Sequence, residues 1–379
     1  MNELEPHVSK KPQSSNEMKV LLLSRYDTLP APSRYRFYQY LPFLRANGIH
    51  VTVAPLLDNQ FAKRHYTERR KPLIAVPKLY AKRIVRLLQA SQFDLVWLEK
   101  EALPWIPAWV EKVLGLNRVP YLVDYDDALF VTYNEQQPSL VRYFLGDKVR
   151  DLMRGAAVVI AGNRYLALYA REAGAARVDI LPSVVDIHRY PSRSKSEREM
   201  FTIGWMGAPM NSKHLGAIGS ALSSICAAGN AKINIVGGWP VEFPSGLTVE
   251  YLPWSESTEI QHLQSFDVGI MPLNDGPWEQ GKCGLKLVQY MAAGLPVVAS
   301  PVGVNKEIVE HGVNGFLAST IPEWETALAT LRDDPTLRER MGIAGRVKVE
   351  REYCLQVTAP RLVNLLRSAR TLPAGSGAS

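Results

Sequence analysis

The sequence predicts an α/β protein of two domains, each a parallel sheet wrapped by crossover helices, and three observations predict it. Short β-branched runs alternate with helix-period stretches along the chain, the pattern of parallel strands joined by helices. The pattern occurs twice, on either side of a polar, aperiodic stretch at 190–199 that reads as a linker. A length of 379 residues with 46% hydrophobic content suits two domains, each long enough to bury a core.

Residues 1–17 are polar, lack an apolar signal core, and are expected to form a disordered tail. The first domain, 18–190, has strands predicted at 19–24, 50–54, 95–98, 120–123, 157–160 and 179–181. Helices are expected near 33–46, 78–89, 104–114, 139–153 and 163–173, with Gly48 and Gly174 as natural stops. The second domain, 191–354, restarts with strands at 202–205, 232–236, 248–251, 268–271 and 296–299. Its helices fall near 212–228, 255–264, 285–293, 322–331 and 335–351. A last helix over 355–372 precedes a flexible tail, 373–379. Two Rossmann-like domains whose parallel sheets face each other form a cleft, and such sheets bind ligands outside the carboxyl ends of their strands.

Composition removes several function classes. The three cysteines, Cys226, Cys283 and Cys354, are scattered and form no Cys-x-x-Cys pair, which argues against a disulfide framework and for a reducing compartment, the cytoplasm by default. No apolar run is long enough to span a bilayer. The seven histidines show no metal-ligand spacing. No Gly-x-Ser-x-Gly elbow, Walker sequence or Gly-x-Gly-x-x-Gly turn appears, against a hydrolase, an ATPase or a dinucleotide dehydrogenase. The net charge of +7 is concentrated. Lys63, Arg64, Arg69, Arg70, Lys71, Lys78, Lys82, Arg83 and Arg86 face only Glu68, with apolar residues interleaved. The stretch reads either as a helix lying on an anionic membrane surface or as a solvated face. No signature of nucleic-acid binding accompanies it.

The most informative segment is 272–316. Lys282, Lys286 and Gln289 are spaced i, i+4, i+7 and share one face of a helix that is otherwise apolar almost all round. Such a helix is buried, and two lysines and an amide on it need partners that the local sequence does not supply. An anionic, hydroxyl-rich ligand supplies them. The Gly-Lys-Cys-Gly stretch at 281–284, ending at Gly284, leaves unpaired N–H groups at the helix start, where phosphate is favoured.

These residues resemble the GT-B glycosyltransferases, specifically the retaining group 1 (family 4) enzymes of exopolysaccharide and lipopolysaccharide biosynthesis. Gln-Tyr-Met-Ala-Ala-Gly-Leu-Pro-Val-Val at 289–298 is similar to the family's Glu-Ala-Met-Ala-x-Gly-x-Pro-Val segment, and Gly-Val-Asn-Gly-Phe-Leu at 312–317 continues it. Leu-Pro-Ser-Val-Val-Asp at 181–186 stands where the family leads into its hinge. The resemblance implies transfer of a sugar from a nucleotide-sugar to a glycan or lipid-linked glycan, with retention, no metal and no cofactor. It implies donor contacts from Gly207, Lys213, Glu279, Lys282, Gly284, Lys286 and Gln289. Asp126 and Asp127, after a first-domain strand, are the expected catalytic carboxylates, and Arg34, Arg36 and Glu99 the expected acceptor contacts. The enzyme is expected in the cytoplasm, peripheral at the inner face of the membrane.

The chain departs from the family's pattern in two places. The Glu-x7-Glu pair falls on Gly281 and Gln289, so one carboxylate is missing and one is an amide. Glu279, two residues earlier, is a candidate to reach the sugar instead. The Gly-Arg-x4-Lys phosphate clamp falls on Gly207, Ala208 and Lys213, so the arginine is missing, and Lys282 and Lys286 are expected to restore the charge. These losses leave open an inert nucleotide-sugar sensor or scaffold of the same fold, or a sugar epimerase. Asp124, Tyr125 and Asp126 also match the metal-binding Asp-x-Asp of the unrelated GT-A transferases.

Overall fold

The computed structural model describes residues 17–67, 76–135, 137–191 and 199–372. The first sheet holds β1 (Met18–Leu23), β2 (Ile49–Val53), β3 (Leu95–Glu99), β4 (Tyr121–Tyr125), β5 (Val158–Ala161) and β6 (Val178–Ile180), in the order β2-β1-β3-β4-β5-β6. The second holds β7 (Phe201–Met206), β8 (Ala231–Val236), β9 (Val249–Leu252), β10 (Val268–Met271), β11 (Val297–Ala299) and β12 (Gly315–Leu317), in the order β12-β11-β10-β7-β8-β9. All pairings are parallel. Central strands such as β3 and β4 are buried at every position, because helices cover both faces of a parallel sheet. Strand order reverses at β1/β3 in one sheet and at β7/β10 in the other, so each sheet has its binding crevice at that point.

Several expected helices are shorter or divided, each for a local reason. The helix expected at 33–46 breaks into Ala31–Arg36, a 3-10 turn and Leu41–Ala46, where Pro42 begins a new helix instead of continuing the old one. The one expected at 104–114 starts only at Ala108, with Pro107 as its N-cap. The one expected at 139–153 becomes Ser139–Leu145 and Lys148–Gly155. Strand β12 was not expected from the sequence; Gly315–Leu317 opens on a glycine and carries no β-branched residue to mark it as a strand.

Two chain passages join the domains side by side. Val185 donates its N–H to the Tyr353 carbonyl at 3.2 Å, and Leu355 donates to the Val185 carbonyl at 2.8 Å. The last helix, Leu355–Thr371, then returns to the first domain. Thr358 and Tyr40 share a hydroxyl contact at 2.9 Å, and Arg367 donates to the Asn47 carbonyl at 2.9 Å.

Among the described residues no helix is long and apolar enough to cross a membrane. Arg69, Arg70 and Lys71 of the basic stretch, with Glu68, lie outside the described residues. Arg83 corrects the reading of that stretch: it is buried and donates to the Ser24 carbonyl at 2.5 Å, so it serves the fold and not a surface. Lys78, Lys82 and Arg86 of the same helix, Val76–Leu88, are exposed.

Candidate functional site

The helix Leu285–Ala292 is placed against the second sheet by two glycines. A side chain at Gly269 would stand 2.3 Å from the Tyr290 ring and one at Gly204 would meet Phe266, so bare backbone lets the helix and its neighbour pack down. The Tyr290 hydroxyl accepts from the Met206 N–H at 2.9 Å and ties the helix to the carboxyl end of β7. Gly284 precedes the helix with φ +65° in the left-handed region, and a Cβ there would meet Ile308.

Lys286 consequently projects over Gly207, the first residue after β7. A Cβ on Gly207 would lie 2.4 Å from Lys286 Cε and 2.9 Å from Nζ, so a side chain there would displace the ammonium from this position. The ammonium stands 4.4 Å from the Trp205 ring centroid. Among the described residues it has no carboxylate or hydrogen-bond partner. Burial, then the charge of Lys282, pull its pKa down to about 7. Lys213 is exposed on the 3-10 helix Pro209–Ile218, and His214 beside it is buried. His214 Nε2 lies 3.7 Å from Glu279 Oε1, so Glu279 faces this group of cations.

Gly281, where the family carries its first glutamate, packs on the first domain. An added Cβ would stand 2.5 Å from Ala128 Cβ and 2.6 Å from its backbone nitrogen. The missing carboxylate therefore has no room in this arrangement. Gln289 is buried and donates its amide across the domains to the Tyr35 hydroxyl at 3.0 Å, while Tyr35 also donates to Glu259.

On the first domain, Asp126 and Asp127 follow β4 and meet Lys100, which follows β3. Lys100 Nζ lies 2.7 Å from Asp126 and 3.0 Å from Asp127, and its backbone is left-handed at φ +61°, an unusual state for a side-chain-bearing residue. Lys282 of the second domain reaches Asp127 at 3.4 Å. Burial pushes Asp127 up, but the two lysines outweigh it and hold its carboxyl below the ordinary value. Asn163 closes the seam, its amide donating to the carbonyls of Gln280 and Lys282 at 3.1 and 3.0 Å. Asp126, Asp127 and Lys282 are thus brought to one seam between the domains, with Lys286 next to Lys282 on the side of the second sheet.

The expected acceptor contacts lie elsewhere. Arg34 pairs with Glu259 at 2.9 Å and stacks on Trp254, and Arg36 pairs with Asp124 at 2.6 Å and donates to the Leu181 carbonyl. Both are buried scaffolding across the fold. Glu99 is buried too, accepting from the Ser33 hydroxyl and the Arg25 N–H at 2.7 Å each. Burial raises Glu99 to about 7 and Asp124 to about 6 despite their cationic neighbours. Asp124 and Asp126 each face a cation of their own, so the Asp-x-Asp triplet does not converge. Among the described residues no three His, Cys, Asp or Glu side chains are grouped to hold a metal. Lys100 was read only within the Glu99-Lys100-Glu101 triplet, as an acceptor contact or a cap, and His214 was not singled out at all; its only signal was its place next to Lys213.

Comparison with known proteins agrees with this geometry. The family described as Glycosyl transferases group 1 matches residues 197–334, the second sheet and its helices. A Corynebacterium glutamicum protein, a GDP-mannose-dependent monoacylated alpha-(1-6)-phosphatidylinositol monomannoside mannosyltransferase, is 31% identical over 112 residues, a stretch spanning 29% of each chain. The structure of Anabaena HepE in complex with UDP-glucose is similar with a TM-score of 0.70 at 18% identity, covering 93% of this chain and 100% of that one. Sucrose-phosphate synthase from Thermosynechococcus elongatus has a TM-score of 0.69 at 15% identity, covering 93% and 98%. The solved structures share the two-domain GT-B fold over almost the whole chain, and the match to the group 1 glycosyl transferases covers the second domain, which carries Gly207, Lys213 and Lys286.

Proposed function

We propose that this protein transfers a sugar from a nucleotide-sugar donor to a glycan or lipid-linked glycan, with retention of anomeric configuration and without a metal, in surface polysaccharide biosynthesis. The observation that carries the reading is Lys286, a half-buried ammonium with no anionic partner among the described residues, held over Gly207 at the switch point of the second sheet. An unpaired cation held partly out of water costs free energy, and a diphosphate offsets it. That HepE is described with UDP-glucose, and the Corynebacterium protein as acting on an acylated phosphatidylinositol mannoside, supports a nucleotide-sugar donor and a lipid-borne acceptor.

In the proposed reaction the bond from the anomeric carbon to the diphosphate breaks, and the acceptor oxygen bonds that carbon on the same face. The acceptor's proton passes to the departing phosphate oxygen. Lys213, Lys282 and Lys286 stabilise the charge that develops there, and Asp126 and Asp127 orient the acceptor hydroxyl. Glu279 is proposed to contact the sugar. The test is incubation with UDP-, GDP- and ADP-sugars and extracted lipid-linked glycan, with and without EDTA, followed by NMR of the product. Retained configuration with EDTA-insensitive turnover supports the reading; an inverted product, or a rate abolished by EDTA and restored by manganese, rejects it.

A second reading, a nucleotide-sugar-binding scaffold without turnover, is favoured by Gly281, whose contact with Ala128 leaves no place for a carboxylate. Donor binding with no turnover in the same assay selects it. The protein is further proposed to sit at the inner face of the cell membrane. Exposed Lys78, Lys82 and Arg86, with Val85 and Leu88, lie on a helix packed beside Ala108–Leu114, which exposes Trp109 and Val113. Sedimentation with anionic but not neutral liposomes, abolished when Lys78, Lys82 and Arg86 become Gln, is the expected result; equal recovery with both lipids contradicts it.

A further inference from the structure

His214 takes no part in the account so far, and its surroundings are not those of an ordinary core histidine. It lies on the helix Pro209–Ile218 that leaves the carboxyl end of β7, only 3% exposed. Its Nδ1 has no hydrogen-bond partner among the described residues. An imidazole carries two ring nitrogens that each act as donor or acceptor, and leaving one unpaired in the interior is unfavourable. The charged groups facing it come from three elements: Lys213 on its own helix, Glu279 on the turn Pro277–Gln280, and Lys282 with Lys286 at and within the helix Leu285–Ala292. Glu279 at 3.7 Å is too far to be a hydrogen-bond partner. Burial and then the three ammonium groups dominate, pulling the imidazole down to about 4, so it is neutral in the free protein.

We propose that His214 is a ligand of the donor's diphosphate, its unpartnered ring nitrogen bonding a phosphate oxygen and so supplying a contact that the family's arginine, here Ala208, does not. The proposal rests on the donor-site reading above and adds a consequence to it. Bringing an anion among His214, Lys213, Lys282 and Lys286 reverses the sign of the local potential and favours the protonated imidazole. Nucleotide binding is then coupled to proton uptake at two separable places. Near pH 8 the proton goes to Lys286, whose pKa in the free protein is about 7; near pH 6 Lys286 is already charged and the proton goes to His214.

The test is titration calorimetry of UDP, GDP and ADP in buffers of different ionisation enthalpy, near pH 6 and pH 8, on the full chain. Against wild type, His214→Gln, which keeps a hydrogen-bonding group but cannot charge, is expected to lose the pH 6 uptake and keep that at pH 8. His214→Leu is expected to bind about tenfold or more weakly. In the wild-type protein, NMR titration of the imidazole should show its pKa rising by about one unit or more when the nucleotide saturates. The proposal is overturned if His214→Gln takes up the same protons as wild type, if His214→Leu binds with unchanged affinity, or if the wild-type imidazole titrates alike with and without nucleotide. Absence of binding to wild type is a different failure, because it removes the donor site itself.

Discussion

The two domains treat charge differently. In the first, most interior cations are paired with carboxylates, Lys100 with Asp126 and Asp127, Arg36 with Asp124, and Lys148 with Glu101 and Glu111 at 2.7 and 2.8 Å, while Arg83 rests on the Ser24 carbonyl. In the second, Lys286 and the Nδ1 of His214 are left without partners among the described residues. Charge that the fold has satisfied serves as architecture, whereas the unpartnered Lys286 and His214 are the groups proposed above to meet an anion. That difference explains why Arg34, Arg36 and Glu99, plausible binders by residue type, turn out to hold the molecule together.

The largest effect expected from this contrast is on stability. Arg36→Met leaves Asp124 buried and unpaired and should cost about 3–5 kcal/mol in denaturant unfolding near pH 8. Lys286→Met removes an unpaired ammonium and should cost nothing or stabilise. Equal losses in the two variants would erase the distinction. Next in size is turnover. Asp126→Asn and Asp127→Asn, made at the seam, should each lower the transfer rate about a hundredfold while the protein stays folded. If both variants transfer at near wild-type rates, the carboxylates only anchor Lys100.

A smaller effect is the pH dependence of stability, which should differ in sign between the domains. Lys286 falls from 10.5 to about 7 on folding, so over that interval the unfolded chain holds the extra proton and stability rises with pH. Glu99 rises from 4.5 to about 7, so the folded chain holds the extra proton there and stability falls as pH climbs through the interval. Lys286→Met should flatten the alkaline limb of the profile and Glu99→Gln the acidic limb. A variant whose profile parallels wild type shows that its group is not shifted.

The inner strands were legible because burial on both faces makes them apolar runs, and the edge strands β2 and β6, only partly buried, were legible through their β-branched residues. What escaped was set by local breaks, such as Pro42, or by strands without β-branched residues, such as β12. The helix Leu285–Ala292 was legible because Lys286 and Gln289 interrupt an apolar surface near helical spacing. The pairing of Arg34 was not, since its partner Glu259 lies 225 positions along the chain and belongs to the other domain. Nor could the sequence place Gly281 against Ala128 or Gln289 against Tyr35, because both contacts exist only once the domains meet.

The central claim is the proposal that Lys286, held over Gly207, binds the diphosphate of a nucleotide. Calorimetric titration of wild type and Lys286→Ala with UDP, GDP and ADP tests it most directly. Loss of a charge-assisted contact should weaken the bound nucleotide about ten- to a hundredfold in a variant that remains as stable as wild type. Unchanged affinity in a folded Lys286→Ala protein would contradict the account.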